Sequence, residues 1–279
     1  MMRFLVILAA LIGFAAPANA YWEYGHQTVA AIAWRNITPA TRLKVTQLLR
    51  QTDLLKTEGC PATTIEDAAV WADCIKKLGA DWRYASVWHY QDADICKPFD
   101  VTAECKDGNC VSAQIERDVK TLKDRKAPKI ERVKALLFLV HFVGDIGQPL
   151  HGAEHDHDAG GNKVLVSYGI YSTDRLNLHS VWDGLLAERA ITSGPNIVRS
   201  YSRADRAKFG GGTVTDWGKD SWELSKTVYA DLNGGEACKP ITGRVAITEE
   251  MIEKWVPEAR DQVIKGGLRL ARLLDEALA

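Results

Sequence analysis

Apolar residues recur at three- and four-residue intervals along most of the chain, which predicts a mainly helical fold. Val29, Ile32, Ala33 and Ile37 share one side of a first helix, and Asn36-Ile37-Thr38-Pro39 ends it and opens a second. Residues 41–50 place Leu43, Val45, Leu48 and Leu49 together. A third helix is predicted over 64–78, with Thr64 as its cap and Glu66 and Asp67 in the first turn. A helix over 111–123 precedes the most apolar one, 130–145, which Gly147 and Pro149 terminate. Gly160-Gly161 opens an alternating stretch, 163–171, that predicts a short β-hairpin. Helices resume near Leu178 and Asp216, and a last amphipathic one covers 249–278. No linker, repeat or low-complexity tract divides the chain, so residues 21–279 read as a single helical domain.

The first twenty residues follow another pattern. Arg3 precedes an unbroken apolar run over 4–16, and Ala18-Asn19-Ala20 is a small-x-small cleavage site. At about 13 residues the run is shorter than the about 20 a membrane span needs. Residues 1–20 are therefore expected to be a signal peptide, the mature chain beginning at Tyr21 and exported to a periplasm or the outside. Nothing later reads as a membrane segment. Export changes the reading of the six cysteines, 60, 74, 96, 105, 110 and 238. In an oxidising compartment an even number predicts three disulfides, with 15 connectivities open. The charge, 35 basic against 36 acidic residues, excludes a polybasic protein that holds nucleic acid by bulk electrostatics.

Candidate chemistry lies in the histidines, five of which sit near an aspartate. His141 and Asp145 are four apart in the apolar helix and project from one face, with roughly 6 Å between their Cβ atoms. His151 follows beyond Pro149, and His179 and Asp183 repeat the H-x3-D spacing. Asp73, His89 and His26 lie elsewhere in the chain. Imidazole and carboxylate are the ligands zinc accepts when thiols are tied up as disulfides. A lone histidine on an apolar helix is ordinarily a core residue bonded to a carbonyl, but an aspartate inside Val140-His141-Phe142-Val143-Gly144-Asp145 cannot be buried unpaired without cost.

Tyr21 to His26, Trp71-Ala72-Asp73, Trp88-His89-Tyr90-x-Asp92, His141-x3-Asp145-x-x-Gln148-Pro149-Leu150-His151, Gly160-Gly161-Asn162 and Asn177-Leu178-His179-x-Val181-Trp182-Asp183 together resemble the S1/P1 nuclease family, in the family's order and over nearly the whole mature chain. The resemblance implies a helical fold of the phospholipase C/P1 nuclease type holding three zinc ions. Asp73, His89, His141 and Asp145 would hold one, and His151, His179 and Asp183 a second. The amine and carbonyl of Tyr21, with His26 and a bridging oxygen of Asp145, would hold the third. Tyr21 stands where the family usually has Trp, which main-chain ligation tolerates. The implied activity is hydrolysis of single-stranded DNA and RNA to 5′-nucleotides, with removal of 3′-phosphates from nucleotides, by a monomer. Asp73 would act as ligand and base.

Lys76 stands where the family often has a phosphate-binding Arg; three residues past Asp73 it faces the same site, or else it is a solvated partner of Lys77. The resemblance assigns Tyr90 to stacking on a base and Asp92 to hydrogen bonds from its edge; otherwise Tyr90 packs in the core. Asn162 would contact substrate or shape the glycine turn. His155 and His157 match no ligand position and are expected in the cleft wall or in solvent. For the cysteines, the short gap of Cys105 and Cys110 suits a local loop, Cys96 and Cys238 would pair as in the family, and Cys60 and Cys74 remain. Two rival readings are a zinc phospholipase C, separable by release of headgroup from phosphatidylcholine, and a non-catalytic zinc-buffering protein, which would bind metal without turnover.

Overall fold

A computed structural model describes residues 22–279; residues 1–20, the expected signal peptide, and Tyr21 lie outside the described residues. The helices are α1 (Glu23–Asn36), α2 (Pro39–Leu49), α3 (Ile65–Ile75), α4 (Ala80–Arg83), α5 (Val111–Lys123), α6 (Lys129–Asp145), α7 (Leu178–Ser180), α8 (Ala187–Thr192), α9 (Arg203–Gly210), α10 (Val214–Leu232) and α11 (Glu249–Leu278). The sequence sets several of these ends. Thr38 accepts the Thr41 amide and places Pro39 in the first turn of α2. Thr64 and Asp67 close a reciprocal capping box on α3. Every residue from Ala135 to Asp145 is buried, so the second half of α6 is enclosed on all sides.

Two apolar clusters form the interior. One joins α1, α2, α3, α5, α6 and the later turns of α11. The other gathers Leu150, Leu178, Val181 and Trp182 with α10 and Trp255 from early α11. Elements of the first cluster carry His26, Asp73, His141 and Asp145, and elements of the second carry His151, His179 and Asp183.

The strands are short. β1 (Ala93–Asp94) pairs parallel with β2 (Ala153–Glu154), and β3 (Val166–Tyr168) pairs parallel with β4 (Val245–Ile247), Val166 opposite Val245. Residues 163–171 therefore do not form a self-contained hairpin. Only Tyr168 and Tyr171 exchange the two hydrogen bonds of a tight turn, at 2.8 and 3.0 Å, and the main partner of β3 comes from far along the chain. Three disulfides, Cys60–Cys74, Cys96–Cys238 and Cys105–Cys110, account for all six cysteines. Among the described residues no helix is long and apolar enough to cross a membrane.

Candidate metal centre

The enclosed end of α6 supplies His141 and Asp145, and the neighbouring elements bring the other charged groups to them. Asp145 Oδ2 lies 3.0 Å from His89 Nδ1 and 3.1 Å from His141 Nε2. Those two nitrogens are 3.0 Å apart. Asp73 Oδ1, from α3, completes the set at 3.6 Å from His89 Nδ1 and 3.8 Å from His141 Nε2. A zinc-sized cation about 2.0–2.1 Å from four tetrahedral donors holds them about 3.3 Å apart, so this spacing fits one.

A second group forms where His151, in the 3-10 turn Pro149–His151, meets His179 and Asp183. His179 Nε2 is 3.1 Å and His151 Nε2 3.6 Å from the Asp183 carboxylate. Asp183 lies in a π-helical stretch, Val181–Leu186, between α7 and α8. Such irregular turns inside helices recur at functional sites. A third group is His26, His141 and Asp145, with His26 Nε2 3.3 Å from Asp145 Oδ1 and the His26 ring stacked on His141 at 3.8 Å. Tyr21 lies outside the described residues, but the amide of Trp22 donates to the Asp183 carbonyl at 2.9 Å, so the chain enters α1 beside the second group.

The donor chemistry also fits cations. The Nδ1 atoms of His141, His151 and His179 lie 2.6, 2.9 and 2.8 Å from the carbonyls of Ala69, His89 and Gly160. A carbonyl only accepts, so each Nδ1 carries a proton, and a metal would meet the Nε2 side, displacing any proton held there. Among the described residues buried His89 Nε2 has no hydrogen-bond partner, and Asp145 Oδ1, His151 Nε2 and Asp183 Oδ2 face only other members of these groups, an expensive arrangement that a cation between them would relieve. Burial opposes the Asp73 charge, but His141, Lys76 and His89 outweigh it and hold its pKa at about 2. Burial likewise opposes the positive form of His151, yet Asp145 and Asp183 push its pKa up to about 9. Asp145 and Asp183 both stay ionised, burial again being outweighed by the facing imidazoles.

A cavity of about 260 Å³ opens on these groups, and its walls include Lys76, His89, Tyr90, Asp92, His151 and Asn162. Lys76 Nζ lies 2.6 Å from Asp73 Oδ1, which removes the outer-face reading of this lysine. Tyr90 is 38% exposed at the cavity mouth and does not pack in the core. Asp92 is half-buried, and burial followed by Glu154 pushes its pKa up to about 6. Asn162 lines the cavity and donates to the Ala159 carbonyl at 2.9 Å, shaping the glycine turn as well. His157 is exposed, whereas His155 is buried against the Tyr229 ring, in neither cleft wall nor solvent.

Two supports were not singled out from sequence. Gln148 is fully buried; its Nε2 donates to Asp183 Oδ1 and its Oε1 accepts the Leu150 amide, both at 2.6 Å. Asp158 accepts the Tyr229 hydroxyl at 2.5 Å and the Gly161 amide at 3.0 Å, fixing the turn whose Gly160 carbonyl orients His179. The Gln148-Pro149 dipeptide and the paired glycines were the available signals.

The architecture is that of a helical protein with adjoining histidine–aspartate groups suited to several metal ions. Residues 21–279 match the S1/P1 nuclease family model, and the chain belongs to that family of nucleases. It is 28% identical to Nuclease S1 of Aspergillus oryzae over 99% of this chain and 98% of that protein. It is 29% identical to Endonuclease 3 of Arabidopsis thaliana, covering 97% and 93% of the two chains, and 26% identical to Nuclease P1 of Penicillium citrinum, covering 90% and 96%.

Proposed function

We propose that this protein is an exported, zinc-dependent phosphodiesterase that cleaves single-stranded DNA and RNA to 5′-nucleotides and removes 3′-phosphates from nucleotides. The observation carrying the proposal is that three His/Asp groups adjoin one another and two of them, through His89, His151 and His179, line a cavity that also holds an exposed aromatic ring and a half-buried carboxylate. Asp73, His89, His141 and Asp145 would hold one zinc, and His151, His179 and Asp183 a second. His26 and Asp145 would hold the third with the main-chain atoms of Tyr21, freed by removal of residues 1–20. Three disulfides support passage through an oxidising compartment.

When bound, the zinc ions supply Lewis-acid stabilisation of the phosphate charge and lower the pKa of the attacking water. The protein's own groups then set the geometry. The ionised Asp73 accepts a hydrogen bond from that water and aims it in line at phosphorus. Lys76 places an ammonium beside the same carboxylate, where it meets a phosphate oxygen as a point charge. Tyr90 offers a ring face on which any base can stack, and Asp92 accepts hydrogen bonds from the base edge. A paired base cannot reach Tyr90 without leaving its stack, which gives the single-strand preference.

Mature protein should lose activity on single-stranded DNA in EDTA and regain it with zinc. Asp73→Asn should retain its melting temperature within a few degrees but lose roughly a hundredfold or more in turnover. Full activity in a metal-free sample would end this reading. Gly184→Ala tests the N-terminal site separately. A Cβ there would fall 2.3 Å from the Trp22 indole, so the ring must swing away. Metal analysis should show a loss of about one ion per chain, with the other two retained. An unchanged metal content would remove the N-terminus from the ligand set.

A further inference from the structure

The 3-10 helix Tyr84–His89 separates two cavities. Ser86 and His89 face the metal centre, whereas Tyr84 and Trp88 line a neighbouring cavity of about 370 Å³ whose far wall is α5 and α6. Tyr84 is 48% exposed, and its ring is held edge-on to Trp88 at 5.0 Å and alongside Trp82 at 6.4 Å. Arg117 lies over Trp88 at 4.3 Å. Its Nε and Nη2 donate to Asp118 Oδ1 at 3.0 and 2.7 Å, so a buried carboxylate fixes the guanidinium in place.

Ala127 also borders a larger basin of about 730 Å³, which carries Lys44, Arg50, Arg125, Lys129 and Arg132 and no aspartate or glutamate. Lys44 donates to the carbonyl of Leu278, Arg125 to a carboxylate oxygen of the last residue, Ala279, and Arg132 to the carbonyl of Leu122, as cations at helix ends do. Capping leaves Arg50 and Lys129 unexplained: both are exposed, and neither forms an ion pair among the described residues. Five cations, none of them paired with an aspartate or glutamate among the described residues, are conspicuous in a chain of net charge −1. Lys129 precedes His141 by twelve residues on α6, about 18 Å along its axis.

We propose that this face is a second binding stretch for the single strand being cleaved, with one base stacked on Tyr84 and the phosphates beyond it on the cations around Arg50 and Lys129. The inference rests on the nuclease reading above and deepens it. Fixed aromatic rings interleaved with cations grip a single strand without reading its sequence. A long strand spans both cavities and is held at both, whereas a dinucleotide fills only the catalytic one. The protein therefore distinguishes long from short substrates by affinity and not by turnover.

The test compares wild type, Tyr84→Ala and Tyr84→Trp, using fluorescence anisotropy of a labelled single strand of about a dozen nucleotides and steady-state cleavage of that strand and of a dinucleotide. Tyr84→Ala should raise Kd and KM for the long strand about tenfold. Its kcat and its dinucleotide kinetics should stay unchanged, and Tyr84→Trp should restore binding. Doubly substituting Arg50→Ala and Lys129→Ala should flatten the dependence of log Kd on log salt by about 1.4. Equal losses on both substrates, no loss on the long strand, or an unchanged salt slope would each overturn the proposal. If zinc-loaded wild type cleaves neither substrate yet shows Tyr84-dependent binding, the nuclease reading fails, and with it the link of this face to cleavage, while single-strand binding here is upheld.

Discussion

Asp145→Ala is expected to strip the metal centre and to destabilise the fold in the same step. The side chain is fully buried, and its two oxygens serve four imidazoles from four parts of the chain. Oδ2 meets His89 and His141 at 3.0 and 3.1 Å, and Oδ1 faces His26 and His151 at 3.3 and 3.4 Å. Alanine removes the one anion they share and leaves a void where the fold is most enclosed. Breaking a buried charge pair in this way costs about 3–5 kcal/mol, or roughly 6–20 °C in melting temperature for a chain of this size. Metal content should fall by at least the two ions that the proposed ligand sets assign to Asp145, and turnover should become undetectable. Calorimetry with and without chelator separates the causes. EDTA should lower the wild-type transition strongly and that of Asp145→Ala only slightly, because the variant has already lost what chelation removes. A variant that keeps its full metal content would show that Asp145 is only a structural counter-ion.

The pairing of His141 with Asp145, and of His179 with Asp183, was legible because helical periodicity places residues four apart on one face. Capping made the start of α3 legible in the same local way, through Thr64 and Asp67. Spacing could not say which histidine joins which group, because Asp73, His89 and His26 reach α6 from distant segments. There the resemblance to a family carried the assignment; the structure brings residues together as His26–His141–Asp145, Asp73–His89–His141 and His151–His179–Asp183, each able to hold a metal ion. The parallel pairing of β3 with β4 was not legible, since its register depends on a segment nearly eighty residues away. Nor was the turn that seats His179. Gly160 and Gly161 announce left-handed backbone, but Asp156, His157 and Ala159 also adopt positive φ, which Asp and His tolerate without announcing it and alanine does not suggest at all. His155 was misplaced for a related reason: its burial depends on Tyr229, brought there by α10.

Removing the Cys96–Cys238 disulfide is expected to cost more stability than removing either of the others. The three bridges close separations of 142, 14 and 5 residues for Cys96–Cys238, Cys60–Cys74 and Cys105–Cys110. Restricting the unfolded chain by loops of these lengths is worth about 5, 3 and 2 kcal/mol respectively. Cys96→Ser with Cys238→Ser should therefore lower the melting temperature by roughly 10–20 °C, and the other two pairs by progressively less. The long bridge also bears on the site. Cys96 follows β1, and the same stretch is fastened to the turn carrying His151 by the Gln91 amide on the His151 carbonyl at 2.7 Å and the Ile95 amide on the Glu154 carbonyl at 3.0 Å. Tyr90 and Asp92 ride on that stretch, so its loosening should weaken substrate binding before it affects the metal groups, whose ligands are mostly anchored elsewhere. KM for single-stranded DNA should rise while metal content stays constant. Cys105→Ser with Cys110→Ser is the matched control, since its loop lies on the same stretch but closes only a local turn. If scanning calorimetry found the 5-residue bridge as costly as the 142-residue one, native-state contacts rather than chain entropy would set the worth of these disulfides.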